Sequence, residues 1–297
     1  MSFRASEASR GIALVLTIYV GAALALRLFE RSLLYVPGSR AVDEPAPALA
    51  LNQRTVRFRA ADSTLLSAWA IPAANATADA PWVLISHGNY GNIGYGGRPQ
   101  FYAWFRDLGV NLLAYDYRSF GESEGVPSER GVYDDAEAAY RYLTDSLRVA
   151  PSRIVLFGHS LGTGVTVELA RRAPAAGLIV EDAYTSVAER GQEVFPILPV
   201  KLIARSRFAS IEKVGALTLP KLFLHARNDE TIPIAHGRRV FAAAAGPKEW
   251  VELDAGHGDA YAAERARYYG AIGAFIRRVV APTPVVADLE PQPGAAR

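Results

Sequence analysis

Residues Arg153 to Arg172, RIVLFGHSLGTGVTVELARR, run from an apolar stretch through Gly158-His159-Ser160-Leu161-Gly162 into a segment with helical periodicity. This order reads as strand, sharp turn and helix, and it constrains the rest of the chain more than any other feature. A serine at the tip of such a turn is held in strained backbone that lifts its hydroxyl clear of its neighbours, while the flanking glycines let strand and helix approach closely. Ser160 is therefore a candidate nucleophile. A turn whose serine merely caps the following helix has the same five letters, so the elements on either side must carry the argument.

Around this stretch, strand-like runs alternate with helical ones. Thr55 to Phe58 and Leu65 to Ile71, separated by Ala61-Asp62-Ser63, form an expected antiparallel hairpin, and Trp82 to Ser86 runs into His87-Gly88-Asn89. Further strand-like segments at Asn111 to Tyr115, Ile154 to Phe157, Leu178 to Val180, Lys221 to Leu224 and Trp250 to Leu253 alternate with helical ones. The helices fall at Pro99 to Leu108, Ser128 to Leu147, Leu161 to Arg172, Ile234 to Ala245 and Asp259 to Val279. Such alternation means βαβ units, and hence an α/β domain with a mostly parallel sheet covered by helices on both faces. Residues 183–219 interrupt the alternation with an insertion containing Phe195, Ile197, Leu198, Leu202 and Ile203. It reads either as helix packing on the domain or as a small cap that lines an acyl pocket over the serine.

An α/β sheet places chemistry at the carboxyl ends of its strands, so a general base and its carboxylate are sought there. His257, in Ala255-Gly256-His257-Gly258-Asp259 after the last strand, is the candidate base. His87 and His159 sit beside glycines in tight turns, His225 closes a strand and His236 lies in a helix. Asp229, past the strand Lys221 to Leu224, is the candidate acid, with Glu181 and Asp182 as alternatives; either position preserves the order serine, acid, histidine. His225 and Asp229 have no third ligand patterned nearby, and no nucleotide or flavin motif is present, so no metal and no cofactor are expected. Asp116 reads as a structural partner of its loop.

With 297 residues, half of them hydrophobic, the chain has material for one domain and some to spare. The absence of cysteine excludes disulfides, thiolate catalysis and cysteine-ligated zinc. A net charge of +2, carried by arginine pairs near helix ends, gives no reason to expect a nucleic-acid partner. Gly11 to Leu26 carries no charge and is followed by Arg27, whose side chain extends the usable apolar length by snorkelling. Residues 1–36 are therefore expected to be an N-terminal membrane anchor, with a span at about residues 11–29; a signal peptide cut near Ala23-Leu24-Ala25 is the rival. Flanking arginines are balanced and leave sidedness open, while the short N-terminal tail favours an extracytoplasmic catalytic domain. Residues 37–50 read as a linker, 51–280 as the catalytic domain, and 281–297, with four prolines, as a disordered tail. On this reading, removing residues 1–34 leaves a soluble domain whose activity on a short soluble ester is nearly unchanged.

The segments FERSLLYVPGSR, ISHGNYGNIGY, AYDYRSFGESEGVPSERGVYDDAEAAYRYL, LFGHSLGTG, LPVKLIARSRFASIEKV, HARNDETIP and AGHGDAY resemble those of the α/β-hydrolase superfamily, and within it of membrane-anchored members. The resemblance covers nearly everything from Phe29 to Val280 and implies an α/β-hydrolase fold. It places the nucleophile on Ser160, the acid on Asp229 and the base on His257, with the backbone N–H groups of Asn89 and Leu161 as oxyanion donors. Ser119, Ala226 and Gly258 depart from residues common in the family. The expected activity is that of a serine hydrolase on acyl esters or thioesters of small molecules or lipids, through an acyl-enzyme. Depalmitoylating thioesterases and serine aminopeptidase-like relatives share the fold, so amide hydrolysis on the same triad remains an alternative. A catalytically idle, membrane-tethered scaffold is the reading from a different class.

Overall fold

A computed structural model describes residues 2–75, 77 and 79–280, with backbone only for 2–8; the expected tail 281–297 lies outside the described residues. The chain begins with helix α1 (Ser2–Leu34). The hairpin follows as β1 (Arg54–Arg59) and β2 (Leu65–Ile71), then β3 (Trp82–Ser86), α2 (Arg98–Arg106), β4 (Asn111–Tyr115) and α3 (Glu129–Arg141). Next come β5 (Ile154–His159), α4 (Leu161–Arg172) and β6 (Gly177–Glu181). The insertion contains α5 (Val187–Val194), α6 (Val200–Ile203) and α7 (Ser210–Lys213). The domain closes with β7 (Lys221–Ala226), α8 (Ile234–Ala243), β8 (Lys248–Leu253), α9 (Ala260–Ala263) and α10 (Arg265–Val279).

The strands form one eight-stranded sheet in the order β1-β2-β4-β3-β5-β6-β7-β8. β1, β2 and β4 pair antiparallel, and every other neighbour pair is parallel. The alternation of side chains along a strand explains why these strands read as unbroken apolar runs. Leu84, Leu156, Val180 and Phe223 enter one core with α3 and α4, while Val83, Ile85, Phe157, Ile179 and Leu222 enter the other with α2 and α10. Two expected helices are interrupted. The segment expected from Ser128 to Leu147 changes to π-helical geometry at Tyr142–Ser146, and that from Asp259 to Val279 breaks at Glu264, whose backbone leaves the helical region.

Two expectations about the N-terminal region are corrected. Residues 37–50, expected as a linker, are tied to the domain: Asn92 Nδ2 donates to the carbonyls of Ser39 and Ala41. Nor is α1 independent of the domain. Ala23, Leu26, Glu30 and Leu34, at helical spacing, form its partly covered stripe. Both carboxylate oxygens of Glu30 accept backbone N–H groups of the insertion, from Arg205 at 2.8 Å and Ser206 at 2.7 Å. The Arg27 guanidinium, expected to snorkel, donates to the Ile203 carbonyl at 2.7 Å. Asn89 Nδ2 donates to the Leu34 carbonyl, and Val36 bridges Tyr90. Removing residues 1–34 therefore takes the Leu34 carbonyl from Asn89, while Val36 keeps its bridge to the same loop.

Candidate active site

Ser160 sits between β5 and α4 with φ 51° and ψ −120°, a region that costs a non-glycine residue about 1–3 kcal/mol. Tight packing holds it there. A Cβ on Gly162 would collide with the Ser86 carbonyl, and one on Gly158 with the Gly162 carbonyl. Ser160 N–H donates to the Glu181 carbonyl at 3.0 Å, which ties the elbow to the neighbouring strand.

The loops after β7 and β8 meet at this point. Asp229 Oδ1 accepts the N–H groups of Thr231 at 2.8 Å and Ile232 at 2.7 Å, a local turn that aims Oδ2 at His257 Nδ1, 2.7 Å away. With its proton on Nδ1, the neutral imidazole presents an unprotonated Nε2 to the Ser160 hydroxyl at 3.1 Å. Burial opposes charging of His257, but its hydrogen bond to Asp229 and the charges of Asp182, Asp229 and Asp259 hold its pKa above the ordinary 6.5. Ser160, His257 and Asp229, singled out from the sequence, are thus brought into one hydrogen-bonded line.

Asp182, one of the alternative acids, is also here. Its carboxylate stands 3.5 Å from His257 Nδ1 and 3.6 Å from His159 Nε2, and accepts the N–H groups of Ala226 at 2.9 Å and Gly258 at 3.3 Å. Burial works against its ionisation, yet the facing His159, the nearby His225 and the Ala226 N–H keep its pKa below the usual carboxylate range. The other alternative, Glu181, is buried beside Asp182, and both burial and that neighbouring charge push its pKa well up. His225 Nε2 donates to the Ile232 carbonyl at 3.0 Å and so shapes the acid loop. Asp182 joins His225 and Asp229 in a group whose ligating atoms lie within 4.8 Å of one another, a neighbour that the sequence spacing did not reveal. The hydrogen bonds just named engage each of these three residues.

Opposite the histidine, Gly88 packs on the serine: a Cβ there would stand 3.5 Å from Ser160 Cβ. The backbone N–H groups of Asn89 and Leu161 donate to no protein acceptor among the described residues. The loop that carries Asn89 is held by Asp116, fully buried, which accepts the Ile93 N–H at 2.9 Å and faces His87 Nε2 at 3.3 Å. Two departures from the family pattern acquire a reason. Ser119 has φ 72°, where glycine is the unstrained choice, and Gly258 has the same φ, a conformation that glycine and asparagine both tolerate.

A cavity of about 180 Å³ lies beside the site, lined by Ile85, Phe101, Tyr102, Phe157, Tyr261 and His159 among others. None of its lining comes from residues 183–219, so the expectation that this insertion lines the acyl pocket does not hold for this cavity. The insertion instead shares a groove of about 130 Å³ with α1.

The sequence profile of the Alpha/beta hydrolase family matches residues 82–293. The chain belongs to that family and is an α/β hydrolase by fold. It is 32% identical over 260 residues to the protein Rv2307c of Mycobacterium tuberculosis, covering 87% of this chain and 91% of the relative. It is 36% identical over 186 residues to the lysophosphatidylserine lipase ABHD12 of Danio rerio, a match covering 57% of this chain and 48% of that one. Among solved structures, an esterase of Pyrococcus furiosus superposes with a TM-score of 0.67 at 19% identity, covering 82% of this chain and 98% of its own.

Proposed function

We propose that the chain is a membrane-anchored serine hydrolase that cleaves acyl esters or thioesters. The observation that carries this reading is the line from Ser160 Oγ through His257 to Asp229, at 3.1 Å and 2.7 Å. Ser160 attacks the acyl carbonyl while His257 Nε2 takes its proton; His257 then protonates the leaving alcohol or thiol. Asp229 holds the tautomer and stabilises the imidazolium. The N–H groups of Asn89 and Leu161 stabilise the tetrahedral oxyanion by about 3 kcal/mol each. Water attacks the acyl-enzyme by the same route in reverse. The lipase and esterase among the similar proteins support ester chemistry, and the apolar cavity beside His159 suits an acyl chain. The apolar helix Ser9–Leu34 supports anchoring, since its length and composition suit a span and none of its most apolar window is buried.

The test is a rate profile of the full chain over p-nitrophenyl esters and acyl thioesters of increasing length, beside aminoacyl amides. Turnover of esters or thioesters in preference to amides is expected. Turnover of amides alone would make the protein a peptidase, and none on any substrate would make it a scaffold.

A further inference from the structure

We propose that the tip of the insertion, residues 195–202, is a second bilayer contact, seated at the boundary of headgroups and acyl chains beside the base of α1. The proposal rests on the reading of α1 as a membrane span.

Depth is the first argument. A hydrocarbon core of about 30 Å requires about 20 residues of helix, so a span entering at Gly11 leaves near Glu30. Leu28 and Phe29, 71% and 62% exposed, are apolar residues on the uncovered faces of that last stretch. The insertion meets the helix at this level: Arg27 bonds the Ile203 carbonyl and Glu30 the Arg205 and Ser206 N–H groups. The shared groove draws Leu26 and Leu33 from α1 and Phe195, Val200 and Ile203 from the insertion. Ile197 and Leu202, beside that groove, are 81% and 85% exposed. On an aqueous surface they would form an unpaired apolar patch; next to a span they continue its apolar surface.

The backbone of the tip gives a second, independent argument, because a segment near hydrocarbon must satisfy its polar groups internally. Here every N–H from Phe195 to Ile203 except that of Ile197 finds an acceptor among the described residues. The Gln192 side-chain amide donates to the carbonyls of Phe195, Pro196 and Leu198. Pro196 and Pro199 have no N–H to satisfy. The N–H groups of Phe195, Leu198, Val200, Leu202 and Ile203 all donate to backbone carbonyls, and that of Lys201 to Gln192 Oε1. Lys201 and Arg205, exposed beside the apolar residues, suit headgroup phosphates.

The chain has no cysteine, so single thiols can be placed at will. Leu202→Cys, Leu16→Cys in α1 and Ser152→Cys at the opposite end of the sheet are each labelled with an environment-sensitive fluorophore. Each full-length variant is reconstituted into phosphatidylcholine–phosphatidylglycerol vesicles carrying nitroxide lipids at shallow or deep positions. The Leu202 probe is expected to emit to the blue of the Ser152 probe and to be quenched best by the shallow nitroxide, as for a side chain about 5–10 Å into the boundary. A Leu202 probe as unquenched as that at Ser152, with Leu16 quenched, overturns the second contact and leaves the span. Quenching at Leu202 without quenching at Leu16 removes the span and overturns the tip as a second contact beside it. Quenching at neither overturns both.

Discussion

His257 lies between two carboxylates that differ in what they hold. Asp229 makes the direct bond to Nδ1, while Asp182 stands 3.5 Å away and is fastened to Ala226 and Gly258. Asp229→Asn is expected to lower the rate by at least about 10³, because an amide at this position favours the wrong tautomer. Asp182→Asn is expected to cost less, about tenfold to a hundredfold, because it removes a charge that favours the imidazolium but leaves the direct bond to Nδ1 in place. Activity requires neutral His257, whose pKa is raised, so the rate should climb with pH through a limb above 6.5. Either substitution removes a charge that favours the imidazolium and should shift that limb to lower pH. Rate–pH profiles of the variants check this; a limb that stays in place in both would exclude the carboxylates as its cause. Residue types and their order along the chain brought Asp229 and Asp182 into view as alternatives. Only the packing of the β6 and β7 ends shows that both face the same imidazole, since linear spacing carries no angle.

At the scale of elements, α1 and the insertion behave as one unit. Glu30→Ala removes the acceptor of two charge-assisted bonds, each of about 1.5–3 kcal/mol at most in this partly exposed setting, and should speed hydrogen exchange at the amides of Arg205 and Ser206. Removing residues 1–34 takes away the same acceptor together with the Leu34 carbonyl that Asn89 uses. The truncated chain should therefore melt earlier and turn over a soluble ester more slowly than one lacking only residues 1–20. Equal melting and turnover of the two would show that the docking is idle. The apolar run from Gly11 made the helix legible in the sequence, and the alternating apolar runs made the strands so. The docking was not legible, because it joins one glutamate to main-chain N–H groups 175 and 176 residues further on. Backbone donors carry no signature in a sequence.

For the molecule as a whole, the sheet presents Ser160, Asp229 and His257 at its carboxyl edge, the edge from which α1 and the insertion also project. An apolar span holds through its hydrocarbon contact and not through charge, so neither high salt nor alkaline carbonate should release the full-length chain from membranes. Release by carbonate would show that α1 does not cross. Activation of Ser160 as a nucleophile is read out by a fluorophosphonate with intact-mass and peptide analysis. One adduct per chain is expected, on Ser160, absent from Ser160→Ala, which should fold normally yet lose about four to six powers of ten in ester turnover. Labelling and turnover that persist undiminished in Ser160→Ala would contradict that role.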